Sequence, residues 1–368
     1  MRIKDVQDIF DQWAPKAIAW EKDTVGLAIG SPETKLRGIL VALDVTERTV
    51  AEAAKRRANL LITHHPLLFR PIQSIRPDEQ TGRCVESLLR KKIALYSAHT
   101  NLDFTRGGTS FALAAAMGLQ SVDFLMKSYQ IQKKIVTFVP KDYVDEVMQA
   151  MTKAGAGTIG NYEMCSFRTD GTGTFRGNKG SRPATGQREK FESIPEIRLE
   201  MIAPEWRVNA VVSAMKKAHP YEEVAYDILT TENISNDYGM GIVGDLHRPM
   251  ELKGFLSLVK RSLGARALRH TVGPGKKIKR VAACGGSGSD LTNEAIKQQC
   301  DAFVTADVKY HSFHDATGRI TLIDAGHYET EYPVVHAVVR RLKEEFRRIK
   351  QNIPVYATRT STNPIIYV

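Results

Sequence analysis

No stretch of this chain approaches the roughly 18 consecutive apolar residues of a membrane-spanning helix, so no segment is a candidate for one. The opening MRIKDVQDIF is too charged for a secretory signal, and the protein is expected in the cytoplasm. Cysteine is scarce: Cys84, Cys165, Cys284 and Cys300 lie far apart and form no C-x-x-C pair. That spacing argues for a reducing compartment and against a thiolate zinc site. Any P-loop or dinucleotide fingerprint is also missing, and no nucleic-acid reader motif is recognised. The formal net charge of +11 would favour anionic partners. Nucleic acid is not the partner expected, because no reader motif accompanies the charge, and the basic run RRLKEEFRRIK (340–350) interleaves with Leu342, Phe346 and Ile349 as the outer face of an amphipathic helix would.

What the chain does have is histidine in informative places. The run LLITHHPLL puts His64 and His65 at the end of a buried strand, where open α/β sheets place their ligands. Successive strand residues point to opposite faces, so neighbouring histidines suit two ions side by side better than one. KKIALYSAHTNLD delivers His99 and Asp103 after another strand-like run, and ITLIDAGHYETE delivers His327 and Glu331 after a third. The three clusters are expected to converge on one rim of one sheet. A lone histidine after a strand is more often a structural, hydrogen-bonded residue; three clusters at three strand ends shift that balance towards metal. Imidazole with carboxylate suits Zn, Fe, Mn or Co better than Ca or Mg. Two divalent ions against the two carboxylates leave positive charge for hydroxide or a phosphate-bearing ligand. Glu331 is the expected bridge, ahead of Asp103, because its i, i+4 spacing from His327 puts both on one helical face while Glu329 points elsewhere.

Strand, helix, strand alternation runs from Leu40 through ERTVAEAAKRRA to LLITHHP, continues to a short helix ending at Gly118, and resumes after Tyr238. Between lies a repeat: FVPKDYVDEVMQAMTKAG (138–155) and IAPEWRVNAVVSAMKKAH (202–219) align at an offset of 64, pairing Pro140 with Pro204 and Met151 with Met215. Each copy reads as a strand, a proline at the helix entrance and an amphipathic helix. Two such units make a ferredoxin-like domain. The polar, glycine-rich RTDGTGTFRGNKGSRPATGQREK between them is expected to be a mobile loop or an extended hairpin. His219 in HPYEE reads as a capping or interface residue rather than a second metal site. The loop Cys284-Gly-Gly-Ser-Gly admits either a phosphate cradle or a tight packing turn.

Taken in order, WEKDTVGLAIG, LDVT, ITHHPLLF, SAHTNLD, CGGSGSDL, VTADVKYH and DAGHYETE resemble the signatures of the Nif-three-like dinuclear metal-centre family, the GTP cyclohydrolase 1 type 2 homologues. The match runs nearly end to end, with Ala306 standing where TGD or TGE is usual. The resemblance implies metal ligands at His64, His65, Asp103, His327 and Glu331, holding two divalent ions per chain, Zn first and Fe, Mn or Co as alternatives. His99 and His311 remain for proton transfer or for supporting the ligands, with a catalytic role, and His314 as structural. The expected fold is α/β: a two-lobed α/β sandwich core, residues 1–126 and 237–368, interrupted by a ferredoxin-like (PII-like or CutA-like) α+β insert at 127–236. The resemblance further implies a ring-shaped homohexamer and a metal-dependent hydrolase, with metal-bound hydroxide attacking a small anionic or nucleotide-like substrate. The alternative is a metal-binding regulatory or metal-delivery protein without turnover.

Overall fold

The computed structural model describes residues 1–129 and 131–368. Two compact units result, one made of Met1–Lys127 with Asn236–Val368 and the other of Ser128–Ser235. In the first unit, one sheet has the spatial order β1 (Gly26–Ile29), β4 (Ala94–Ser97), β3 (Leu60–Thr63), β2 (Ile39–Ala42) and β15 (Val355–Ala357). Strands β2, β3 and β4 read ILVA, LLIT and ALYS and are wholly buried. Continuous apolar runs of this kind are what parallel strands covered on both faces require, and these three pair in parallel. The helix Glu47–Lys55 covers one face; its N-cap Thr46 accepts a hydrogen bond from Thr49 N. The opposite face is packed by Ile3, Val6 and Phe10 of the first helix and by Val334, Val335, Val338 and Leu342 of the helix Pro333–Arg348. The last helix and strand of the chain therefore complete the sheet that carries the His-His pair.

The second sheet has the order β11 (Arg269–His270), β14 (Thr321–Asp324), β13 (Ala302–Ala306), β12 (Lys277–Ser287), β10 (Ile234–Glu251) and β5 (Gln120–Tyr129). Its middle strands β12, β13 and β14 are parallel, with apolar residues such as Val281, Phe303, Val304 and Ile323 fully buried. The helix Thr109–Ala116 packs into this second core through Leu113 and Ala114, and Gly118 follows with φ of +72°, a left-handed turn that favours glycine.

The Ser128–Ser235 unit contains one antiparallel sheet in the order β7 (Phe167–Arg176), β8 (Phe191–Pro204), β6 (Gln132–Pro140) and β9 (Tyr226–Thr230). In chain order this is strand, helix, strand, strand, helix, strand, with the first and third strands central: the ferredoxin-like arrangement. The repeat is visible residue by residue. Pro140 and Pro204 each precede a short 3-10 turn that runs into a helix, Val144–Lys153 or Val208–Ala218. Val144, Val147 and Met151 are buried in the first helix, and Val208, Val211 and Met215 at the same offsets in the second. The glycine-rich segment forms an extended hairpin, pairing from Phe167↔Glu200 to Arg176↔Phe191. His219 has both ring nitrogens engaged, Nε2 with the Phe138 carbonyl at 3.0 Å and Nδ1 with Tyr221 N at 3.1 Å, which is the capping role.

Candidate metal centre

The clusters converge, but not on one sheet. His64 and His65 follow β3 and His99 follows β4 of the first sheet, whereas His327 and Glu331 lie on the helix His327–Glu331 after β14 of the second. The expectation of a single rim is corrected accordingly: the site lies between two sheets of one unit, each contributing strand ends. Local chemistry explains the placement. The backbone of His64 and His65 continues the ladder by donating to Ala42 and Leu43 carbonyls. Asp103 ends the one-turn helix Thr100–Asp103.

At the centre stands Glu331, nearly fully buried. Its Oε2 lies 2.9 Å from His65 Nε2 and 3.1 Å from His327 Nε2, while Oε1 lies 3.7 Å from His64 Nε2. Asp103 Oδ1 lies 3.5 Å from that same His64 nitrogen. Despite the short approaches, His64 Nε2, Asp103 Oδ1 and Glu331 Oε2 are buried without a hydrogen-bond partner. Buried polar atoms are rarely left so, because each forfeits its solvation. Imidazole nitrogens and carboxylate oxygens crowded together in this way are a donor set for cations. Two groups each bring one ligand atom per residue within 4.8 Å of the others: His64, His65 and His99, and His65, His327 and Glu331. These groups, buried at His64 and Glu331 and half-buried at His65, His99 and His327, could hold a metal ion.

The outer nitrogens of the histidines are held as well. His64 Nδ1 donates to the Ala98 carbonyl at 2.8 Å. Asp44 takes His65 Nδ1 at 2.7 Å, and Asp307 takes His327 Nδ1 at 2.6 Å. Asp23 accepts from His99 Nδ1 at 2.8 Å and from Thr100 N at 3.0 Å. Carboxylates so placed select the tautomer that turns Nε2 inward and raise its basicity. Asp23, Asp44 and Asp307 lie in WEKDTVG, LDVT and VTADVKYH, and the sequence alone does not single them out as site residues. Their signal was spacing from nothing nearby in sequence; only folding pairs them with histidines. Asp44→Ala and Asp307→Ala are each expected to weaken metal binding about 10–100-fold. Chelator competition measures this, and unchanged affinity in both variants would contradict it.

Electrostatics follow from the same contacts. Burial disfavours charge on Glu331, but His64, His327 and His65 outweigh it and hold its carboxyl well below the usual range. Burial also opposes charge on His65, yet hydrogen bonding to Asp44 and the Glu331 carboxylate raise it to about 10. For His327 the Glu331 carboxylate prevails over burial, and Asp307 adds to it, giving about 9. Burial pushes Asp103 up against the pull of His64, and pushes the nearby Cys284 thiol up to about 12.

The loop Cys284-Gly-Gly-Ser-Gly takes the packing role. Gly285 N donates to Ser110 Oγ, Gly286 N to Thr330 Oγ1 and Gly288 N to Thr305 Oγ1, so these donors are not free for phosphate. Gly286 has φ of +63°, and a Cβ there would fall 2.2 Å from Glu331 Oε1. Glycine is needed for the loop to close on the carboxylate. Glu329 bonds Asn363 at 2.9 Å and does not join the cluster. His311 is not brought to it either; it is exposed on the helix Tyr310–Ala316, beside Tyr310, and His314 bonds the Tyr310 hydroxyl. A cavity of about 730 Å³ lies in the other unit, lined by Phe138, Phe175, Glu196, Arg198 and Tyr221 among others. Its Tyr221 and Glu196 satisfy each other at 2.8 Å, and the buried polar atoms without a partner among the described residues lie elsewhere, as in the histidine cluster.

The family model described as Duf34/NIF3 (NGG1p interacting factor 3) matches residues 1–364. A Halalkalibacterium halodurans protein named GTP cyclohydrolase 1 type 2 homolog is 37% identical over 365 residues, covering 99% of this chain and 98% of that protein. A Bacillus subtilis protein of the same name is 37% identical over 367 residues, with the same coverage. Among solved structures, a Bacillus cereus protein related to NIF3 is similar over 100% of this chain and 99% of that one, at 38% identity and a TM-score of 0.86. Staphylococcus aureus SA1388 is similar at 30% identity and a TM-score of 0.81, over 100% of this chain and 99% of that one.

Proposed function

The chain belongs to the Duf34/NIF3 family, and from that and the geometry of the cluster we propose a dinuclear-metal hydrolase acting on a small anionic, nucleotide-like substrate. One observation carries the proposal: orphaned buried lone pairs of His64, Asp103 and Glu331 face one another between two sheets. His64 with Asp103 would hold one divalent ion, His65 with His327 a second, and Glu331 would span both through its two oxygens. Zn suits this nitrogen and oxygen set, as do Fe, Mn and Co. When bound, a pair of ions supplies Lewis-acid polarisation and a water whose pKa is lowered towards neutrality. The protein's part is to hold the inward nitrogens through Asp44, Asp307 and the Ala98 carbonyl, and to keep the carboxylates dry. His99, anchored by Asp23, stands beside the ligands to take or give a hydrogen bond. Two carboxylates against two divalent ions leave positive charge, to which an anionic substrate is complementary.

Turnover tests the proposal. Protein loaded with Zn or Mn should hydrolyse GTP or a phosphoester, lose activity on chelation and regain it with metal. A fully loaded protein inert on both would move the assignment to a metal-binding regulator or carrier.

The Ser128–Ser235 unit contributes none of the proposed ligands, so its excision should leave metal content unchanged. Residues 127–236 expressed alone should melt cooperatively, since they carry their own apolar core. Loss of metal from a well-folded deletion variant would contradict this. For assembly we propose a ring of six chains, a native mass six times 41.0 kDa; light scattering that reports a monomer would reject it.

A further inference from the structure

The side of the cluster occupied by His99 has a feature the metal reading does not use. Phe69 follows His65 by four residues, on the irregular segment linking β3 to the helix Gln80–Arg90. Its side chain is left 61% exposed. Its ring stands edge-on to His99, centroids 6.0 Å apart and planes at 75°. The His99 ring in turn lies 5.2 Å from that of His64 and 5.7 Å from that of His65. His99 forms no ion pair with Asp103 or Glu331 among the described residues, unlike His64, which pairs with both. With Nδ1 committed to Asp23, whose side chain is only 3% exposed, Nε2 is the nitrogen left to meet a ligand.

We infer that Phe69 and His99 form a receptor for a planar heteroaromatic ring at the edge of the metal centre. The ring stacks on the open face of Phe69 and donates an N–H to His99 Nε2. An aromatic face held at a polar cluster offers both parts of such a contact, dispersion over the ring and a directional hydrogen bond at its edge. A group attached to that ring is then carried towards His64 and His65. Arg70, exposed next in sequence, adds positive charge for an anionic substituent. The inference rests on the metal-centre reading for what lies beyond the ring.

Calorimetry on metal-loaded protein tests it, with GTP and inorganic tripolyphosphate as probes. Phe69→Ala should weaken GTP on the order of tenfold or more, the usual effect of losing one base–aromatic stack, Phe69→Tyr should restore it, and tripolyphosphate should bind all three proteins alike. His99→Leu should likewise weaken GTP while retaining metal. Absence of GTP binding to the parent protein, equal loss of both probes, or unchanged GTP affinity in Phe69→Ala would overturn the inference. So would a smaller native mass of Phe69→Ala, which would mean that a second copy covers the ring. Metal lost from His99→Leu would make His99 a ligand and remove its part in the receptor. Failure of the metal reading itself shows separately, as parent protein without metal on elemental analysis.

Discussion

Glu331→Gln is expected to empty the centre of both ions while leaving the fold intact. Glutamine keeps the size of the side chain but loses the charge and one of the two anionic oxygens, and among the described residues Glu331 alone brings its oxygens near His64 at 3.7 Å, His65 at 2.9 Å and His327 at 3.1 Å. Elemental analysis of protein purified without chelator should fall from about two equivalents per chain to near zero, a loss larger than any single histidine would cause. His65→Ala should behave differently. It removes a donor from the His65–His327 side only, so about one equivalent, beside His64 and Asp103, should persist. Full metal content in Glu331→Gln would remove the bridging role, and loss of both ions from His65→Ala would mean the two positions are not separable.

The second large effect is on pH dependence. In metal-free protein His65 titrates at about 10 and His327 at about 9, because the Glu331, Asp44 and Asp307 carboxylates prevail over burial. Both values lie above the ordinary histidine value of 6.5. The stabilisation they give is complete below pH 6.5 and is lost as pH rises through 9 and then 10. Metal-free protein should therefore melt at progressively lower temperature over that window. Metal needs neutral imidazole, so each bound ion must displace those protons. Affinity at the His65–His327 side should rise about tenfold per pH unit for each proton displaced, hence about a hundredfold per unit below pH 9. Competition with a chelator of known proton affinity at pH 7 and 8 measures the slope. An affinity independent of pH would contradict the proton-bearing imidazoles.

Much of this was legible from residue order alone, and the reason is physical. Strands buried on both faces advertise themselves as apolar runs, so β2, β3, β13 and β14 stand out as ILVA, LLIT, AFVTA and TLID, and the histidines after β3 and β14 mark strand ends. The insert was legible because it repeats itself, Val147 and Met151 answering Val211 and Met215. Pairing between distant segments was not. Nothing local says that β15 joins the sheet of β3, or that β5 pairs at the edge of the sheet of β14; hence one rim was expected where two sheets meet. The same limit hid Asp23, 76 residues from the His99 it anchors, and Asp44, 21 residues from His65. Short irregular stretches carry function without periodicity. Phe69 is one case, and the helix Tyr310–Ala316 that places His311 away from the cluster is another.

The most direct test of the centre is a crystal structure of metal-loaded protein with data collected on both sides of the bound metal's absorption edge. The account predicts two anomalous peaks in the first unit on either side of the Glu331 carboxylate, one at His64 and Asp103 and the other at His65 and His327. A single peak, or peaks that leave Glu331 or Asp103 uncoordinated, would contradict it.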